Sequence, residues 1–406
     1  MTSTNDSRVV PAPVYWLAVG AFAIGTEGFM ISPLLPSLSS DLGVSVATAG
    51  QLVTLFALAY AISSPVLTAL TGAFDRRRLL LASITTFAAS NLVAAIAPSF
   101  WALMGARVLL ALSAGLFVPG ANALAGAIVS PERRGRAIAV VNAGITAAIA
   151  LGVPLGALVG RHLGWRATFV VVAALSAFAA AGVAFGLKKG IGAGLPVASL
   201  RERVAVAGHP AVLATLLSTT LWATGAYTLY TYLSPFLAST VGLGPTQISG
   251  VMFLWGLSAA VGVFGGGALA DRVGTLRVIV PGLMLGASAF LALGVTATVT
   301  EPGRMLAPVL VAVVVWGLSH WGFWPAQQAR LIELAGVKVA PIVMSLNASF
   351  MYLGFSVGAG LGGWTIAHRP VSSLGFVAAG AELAAVLTAL TLAAARAKAR
   401  AAEARG

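Results

Sequence analysis

Three ionisable residues stand inside long apolar runs and could do chemistry there: Glu27, Arg107 and Glu382. A charge in hydrocarbon costs several kcal/mol unless it is paired or neutralised, which makes each a candidate for handling protons or ions. Glu27 lies about ten residues before Pro36, roughly 15 Å below the outer end of its run at 1.5 Å per residue. Arg107 lies about seven residues into the run that enters from the same side, roughly 10 Å down. If the two runs are neighbours, the side chains meet. Apolar surroundings favour a protonated carboxyl and a nearby guanidinium favours the ionised form. A change in their separation would therefore load and unload a proton on Glu27. A permanent structural ion pair is the alternative reading.

A second group of residues offers flat rings with polar handles. Trp316, His320, Trp324 and Gln327 follow at steps of four, four and three, one helical face. With Tyr227 and Tyr230 they could stack a planar or amphipathic aromatic molecule, and Gln327 or Asn347 could read its hydrogen-bonding edge. The alternative is a belt of aromatics at the membrane interface, but His320 falls in mid-run. Phe29, Met30, Gln51, Asn122 and Asn142 are weaker candidates for the same cavity. Pro33 and Pro36 are expected to break the outer end of the first run.

The elements that must position these groups follow from composition. The chain has 406 residues, 59% hydrophobic and 9% charged, with mean hydropathy +0.96; soluble domains carry about 25% charged residues. Twelve runs are long enough to cross a bilayer, near 14–37, 47–72, 79–97, 100–129, 137–161, 166–187, 210–238, 246–270, 277–299, 305–330, 340–367 and 372–395. The expected fold is an all-α membrane protein of twelve transmembrane helices in two pseudo-symmetric six-helix bundles. The net charge of +13 is topological: of 24 Lys and Arg, 19 fall in segments on one side if both termini are cytoplasmic, 4 on the other, and Arg107 alone lies within a run. That is the positive-inside pattern, and it argues against a nucleic-acid partner. The partners expected are a small-molecule substrate, protons and the lipid bilayer, for a monomer. Residues 1–13 read as a cytoplasmic tail, 14–187 and 210–395 as the bundles, 188–209 as a cytoplasmic linker, and 396–406 as a basic cytoplasmic tail. There is no cysteine, no phosphate loop of the Gly-x4-Gly-Lys-[Ser/Thr] type and no metal-ligand spacing among four histidines, so neither cofactor nor metal is expected and no enzyme constellation appears. Asn347-Ala348-Ser349 has the form of a glycosylation sequon but falls inside a run.

Two further patterns concern motion. Gly144, Ala148, Gly152, Gly156, Gly160 and Gly164 follow at steps of four, a stripe that lets a partner helix approach closely in lipid. Pro154 interrupts it by removing a backbone donor. The pair of features is expected to form a hinged seam on which two bundles rock; a tight static helix contact is the alternative reading. Thr71-Gly72-Ala73-Phe74-Asp75-Arg76-Arg77-Arg78 after the second run is echoed by Gly267-Ala268-Leu269-Ala270-Asp271-Arg272-Val273-Gly274 after the eighth. An aspartate and arginines at matching helix ends imply a parallel repeat and a charge latch made by Asp75, Arg76, Arg78, Gly267, Asp271, Arg272 and Gly274. A solvated basic loop is the alternative, which accounts for the arginines but not for the aspartate twice.

On these residues the chain resembles the major facilitator superfamily, and within it the twelve-span drug:proton antiporter branch. The Gly267–Gly274 turn matches that superfamily's loop motif, with Thr71 replacing the leading glycine in the first copy. Gly105-Ala106-Arg107-Val108-Leu109-Leu110-Ala111 is similar to the fourth-helix arginine motif, Leu110-Ala111 standing for its usual Gln-Gly. The stripe is similar to the fifth-helix antiporter motif, with Val153-Pro154 where a Gly-Pro pair is usual, and Gly164-Trp165-Arg166-x-x-Phe169 is also typical. Ala49-Gly50-Gln51-Leu52, Phe56-Ala57-Leu58-Ala59-Tyr60, Tyr227-Thr228-Leu229-Tyr230-x-Tyr232-x-x-Pro235-Phe236, and Trp316-Gly317 through Pro325-Ala326-Gln327-Gln328 resemble bacterial purine base and nucleoside efflux pumps and sugar-efflux-like transporters. The resemblance implies a multi-pass protein of the bacterial inner membrane that exports drugs or purines against protons by alternating access. Efflux of sugars or other metabolites, and uptake by symport, are the rivals. It also implies that Glu382 sits on a peripheral helix.

Overall fold

The computed structural model describes residues 10–188, 190–192, 198–298 and 306–403, with side chains at all of these but 131 and 395–403. Residues 1–9, Lys189, 193–197 of the linker, Arg304 and the basic residues of the 396–406 tail lie outside that description. In lipid every backbone donor and acceptor must be satisfied within its own segment, which leaves helices as the form for single apolar runs. Among the described residues, twelve helices have the length and apolarity to cross a membrane. We number them α1 (Ala12–Asp41), α2 (Val46–Leu70), α3 (Arg76–Ala95), α4 (Phe100–Ala127), α5 (Arg134–Leu163), α6 (Trp165–Gly186), α7 (Pro210–Tyr230), α8 (Pro245–Val273), α9 (Leu276–Thr296), α10 (Leu306–Ala335), α11 (Val337–His368) and α12 (Ser373–Ala394). Short polar side chains start several of them: Ser45 accepts from the Thr48 amide at 3.0 Å, Asp75 from Arg78 at 2.8 Å and Ser99 from Ala102 at 3.3 Å. The linker contains a short helix, Leu200–Ala207, opened by a reciprocal Ser199–Glu202 capping box.

The first six helices pack on one another, chiefly α1 on α5 and α6, α2 on α4, and α3 on α4 and α6. The last six repeat the scheme, with α7 on α11 and α12, α8 on α10, and α9 on α10 and α12. Between halves, α2 lies on α11 and α5 on α8, a reciprocal exchange that relates the halves by a two-fold axis. We call the face where α1 begins proximal and the opposite face distal. At the distal end of the first half, the Trp165 indole donates to Asp41 at 3.0 Å, Arg166 pairs with Asp41, and Arg166 also reaches the Ala97 carbonyl at 3.2 Å, tying three helix ends together.

Three expectations need correction. Pro33 and Pro36 do not break α1, which runs unbroken to Asp41. A proline removes only its own N–H and frees one carbonyl, that of the residue four earlier. Here the Phe29 carbonyl that Pro33 frees accepts the Tyr230 hydroxyl at 3.1 Å. The seventh run is not one helix: α7 stops at Tyr230 and a second helix spans Leu233–Val241, with Pro235 in its first turn, where no donor is lost.

The third correction concerns the glycine stripe, which packs within its own half instead of forming the seam between halves. A methyl at Gly144 would collide with the Ala18 carbonyl, at Gly152 with Thr26 Oγ1 and at Gly160 with Leu34, all on α1. At Gly156 it would lie 3.3 Å from Met30 Cβ. Steps of four drift about 40° per step on a regular α-helix, too far to keep one face over sixteen residues. Residues Ala148–Gly152 instead form a π-helical turn, with the Val153 amide bonded to the Ala148 carbonyl. That turn takes in one extra residue just before Pro154 and returns the stripe to α1. Gly164 lies beyond the stripe, ending the helix at φ 82°. The second half carries a matching stripe on α11: methyls at Gly354, Gly358 and Gly362 would strike the carbonyls of Thr220, Thr224 and Thr228 on α7. Contact between halves at α5 falls on its π turn, where a methyl at Gly256 of α8 would lie 2.6 Å from the Ile149 carbonyl, and on the Val153–Leu163 segment that follows.

Candidate substrate and proton site

Glu27 and Arg107 meet. Both are fully buried, and Arg107 Nη1 donates to Glu27 Oε1. The guanidinium is held from two further sides: its Nε donates to the Leu52 carbonyl of α2 at 3.2 Å, and it lies 4.1 Å from the centre of the Phe56 ring, a cation–π contact. Glu27 Oε2 and Arg107 Nη2 have no partner among the described residues. The pair thus shares a single hydrogen bond, and each partner keeps an idle polar atom.

Beside it, between the halves, lies a small cavity lined by Gly28, Phe29, Val53, Phe56, Ala57, Tyr227, Tyr352 and Phe355, with room for about one water molecule. Its walls are rings in mutual contact: Tyr227 stacks on Phe355 with centroids 3.6 Å apart, Tyr60 on Tyr352 at 3.7 Å, and Phe29 meets Tyr227 at 6.3 Å. Phe56 belongs to both features, since the ring over Arg107 also lines the cavity.

Of the residues expected to line a cavity, Phe29 and Tyr227 do. Tyr230 lies at its distal edge, 6.1 Å from Phe29 between ring centroids. The structure places the others elsewhere. Met30 turns to Gly156 of α5. Asn122 and Asn142 bond to each other at 3.3 Å. Gln51 lies near Gly363 toward the distal end of α2. Trp316 packs on Trp255, with centroids 5.3 Å apart. His320 and Trp324 stack on Trp222 at 4.0 and 5.8 Å. Gln327 donates to the Thr215 carbonyl at 2.7 Å and Thr219 at 3.0 Å, and Asn347 accepts from Thr219 at 2.7 Å. A buried polar group in lipid takes the nearest partner, and the threonines of α7 supply it. The face read on α10 is real, but it packs on α7 at His320, Trp324 and Gln327 and on α8 and α9 at Trp316. Phe56, Tyr352 and Phe355 were missed. Tyr352 and Phe355 lie three apart on α11, one helical face, which was the available signal.

Three side-chain hydrogen bonds join the halves among the described residues. Ser32 Oγ donates to the Tyr230 carbonyl, left idle where α7 stops, and Tyr230 Oη donates to the Phe29 carbonyl. Ser356 Oγ donates to the Thr54 carbonyl at 2.9 Å. They lie from mid-depth toward the distal face. On the proximal face, Asp75 caps α3, and Asp271 and Arg272 are exposed. Gly274, at φ 92°, ends α8 in the left-handed region that glycine tolerates. Gly267 is in ordinary contact with Pro325, 3.5 Å from a built methyl. No ion pair of Asp75 or Asp271 is present among the described residues. Arg76 is buried and Arg78 exposed. It is Arg77, left out of the expected latch, that bonds: it donates to the Leu187 and Ala184 carbonyls at 2.8 and 2.6 Å, closing the C-terminal end of α6.

Repeated halves of membrane-length helices, meeting at an aromatic cavity beside a buried ion pair of the first half, have the architecture of a membrane transport protein. The chain belongs to the major facilitator superfamily, whose model matches residues 17–299 and 215–406. It is 33% identical over 93% of its length to the MFS-type transporter YbcL of Bacillus subtilis strain 168, covering 95% of that protein. It is 31% identical over 91% of its length to the inner membrane transport protein YdhP of Escherichia coli K12, covering 94%. It is 39% identical to a chloramphenicol resistance protein of Streptomyces lividans, over 68% of this chain and 72% of that one. The fold is similar to a bacterial homologue of the lysosomal transporter Spinster in an inward-facing, unoccupied conformation, with a TM-score of 0.71 and 18% identity over 94% of this chain and 95% of that one.

Proposed function

We propose that the protein is a proton-coupled antiporter that exports amphipathic aromatic compounds by alternating access. The observation that carries the reading is the double placement of Phe56, over the Arg107 guanidinium and in the wall of the cavity. A flat substrate entering between Phe29, Tyr227 and Phe355 presses on Phe56 and holds its ring over the guanidinium, which keeps Arg107 on Glu27 and disfavours a proton there. A proton arriving on Glu27 neutralises the carboxylate and releases Arg107, and with it the support of Phe56. Substrate and proton thus compete for the same arrangement, which is the logic of exchange. The printed name of the Streptomyces relative supports chloramphenicol-like compounds as the first substrates to try. Purine bases and nucleosides fit the same stacking chemistry and come second; uptake by symport, in which substrate and proton move together, is the rival coupling.

The face on which 19 of the 24 Lys and Arg fall is taken as cytoplasmic, which puts both termini inside and the Ser32–Tyr230 clasp outside. The named location of the Escherichia coli relative supports the inner membrane, and we assign a monomer. Asp75, Arg76, Arg78, Asp271 and Arg272 would latch the proximal face when it closes, and the π turn before Pro154 would be the hinge of α5.

The test uses inside-out vesicles with an imposed proton gradient and a pH reporter, to which chloramphenicol, inosine, adenine, a lipophilic cation and a simple sugar are added in turn. Collapse of the gradient by one class, lost in Glu27→Gln, is the expected result. Collapse that survives Glu27→Gln would overturn the role given to the pair, and no proton movement with any compound, in protein that binds one of them, would overturn antiport.

A further inference from the structure

Glu382 is the other acid within a span; its helix is an outer one of the second half, but its side chain is enclosed and unpaired among the described residues. It sits on α12 with no exposure to solvent or lipid, and neither carboxyl oxygen has a hydrogen-bond partner among the described residues. Two glycines make the space it occupies. A methyl at Gly286 of α9 would lie 2.7 Å from Oε1, and one at Gly225 of α7 would lie 3.0 Å from Oε2 and 2.8 Å from the Ala378 carbonyl. The three helices α7, α9 and α12 therefore close on the carboxyl at van der Waals distance.

Nothing on the neighbouring elements balances a negative charge there. The ionisable residues of α7 are Tyr227 and Tyr230, that of α9 is Arg277, and those of α11 over Ala340–His368 are Tyr352 and His368. None bonds to Glu382, and Arg277 lies nine residues from Gly286, roughly 13 Å along α9. An isolated carboxylate enclosed in apolar surroundings is too costly to persist, whereas the neutral acid fits without a counter-ion.

We propose that Glu382 is a second proton-binding site, separate from the Glu27–Arg107 pair and occupied by a proton when α7, α9 and α12 are closed as they are here. Its proton leaves when α7 parts from α12 enough to admit water. Gly225 lies five residues before Tyr230, whose backbone and hydroxyl make the distal clasp, so one helix governs both. The occupied site stands apart from the antiport reading and does not need it to be true.

Infrared spectroscopy of the protein in liposomes at neutral pH reads the site directly. An un-ionised carboxylic acid has its own C=O stretch. The expected result is such a band that disappears in Glu382→Gln, persists in Glu27→Gln and fades in the parent protein as the medium is made alkaline. No band, or a band unchanged in Glu382→Gln, would overturn the proposal. Where that variant does not fold, Gly286→Ala should shift the band by pressing a methyl on Oε1, while Gly250→Ala, whose methyl meets nothing within 4 Å, should not. Dicyclohexylcarbodiimide gives a second readout on the unmodified chain. The acid proton passes to a carbodiimide nitrogen, the carboxyl oxygen adds to the central carbon, and the O-acylisourea rearranges to a stable N-acylurea with no group lost. Labelling that maps to Glu382 and falls as pH rises is expected; labelling absent from Glu382, or indifferent to pH, would overturn the site.

Discussion

Replacing Glu27 by leucine should cost far more than replacing both members of its pair. In Glu27→Leu, Arg107 keeps only the Leu52 carbonyl at 3.2 Å and the Phe56 ring at 4.1 Å, in a position with no exposure. Removing one partner of a buried pair leaves the other charge uncompensated and costs about 3–5 kcal/mol. Glu27→Leu with Arg107→Met removes both charges and refills the space with apolar atoms, an exchange that is about neutral or stabilising by up to about 4 kcal/mol. The expected pattern is a large loss of stability in the single variant, recovery in the double variant and no proton-coupled transport in either. Denaturant unfolding in bicelles supplies the stabilities, and the vesicle assay supplies the transport. A single variant within about 1 kcal/mol of the parent would place the pair in the range of exposed ion pairs and refute its burial. A double variant that still exchanged protons for substrate would refute its function.

Gly152→Ala should separate α1 from α5 and lower stability by about 1–3 kcal/mol, the usual cost of overpacking, whereas Gly250→Ala, a helical position with free space, should gain about 0.4–1 kcal/mol; thermal unfolding compares them. Tyr230→Phe leaves the Phe29 carbonyl that Pro33 frees without a donor, a loss of about 1–3 kcal/mol from the closed distal face. A cysteine reagent applied from the distal side should then modify Phe29→Cys faster in the Tyr230→Phe background than alone, and equal rates would contradict the clasp. At the linker, the Ser199 amide and then its hydroxyl hold the Glu202 carboxyl below its usual range. Its contribution to the Leu200–Ala207 helix is therefore full above the ordinary glutamate value and is lost as pH falls through the lowered one. A spin label at the exposed Val204 should gain mobility on acidification, and Ser199→Ala should move the change to higher pH.

Sequence carried the architecture because lipid leaves few choices. A run of about twenty apolar residues becomes a helix, and the positive-inside bias orders the loops. The Glu27–Arg107 meeting was legible for a related reason: charges deep in hydrocarbon must find each other, and their depths along two runs agreed. Helix faces were less legible. The α10 series at 316, 320, 324 and 327 does share a face, but periodicity names no partner for it: Trp222 on α7 took His320 and Trp324, while Trp316 packs on Trp255 of α8. The α5 stripe misled in the same way, because a row of small residues says that some backbone comes close without saying which one. Its π turn was hidden as well, since Pro154 signals a disturbed ladder but not whether the chain bends or takes in a residue. The proline-freed Phe29 carbonyl could only be matched with Tyr230 once the end of α7 was placed.

The paired stripes on α5 and α11 also bear on engineering a different cargo. They set α1 and α7 at backbone contact with their neighbours, so neither helix can be moved outward to widen the cavity without removing several glycine contacts at once. Room for a larger molecule has to come from shorter side chains at Phe29, Phe56, Tyr352 or Phe355. Of these, Phe56 also holds Arg107, so a library that trims it would alter energy coupling together with selectivity. Variation at Tyr352 and Phe355 leaves that contact intact, and those two positions are where a search for new cargo should begin.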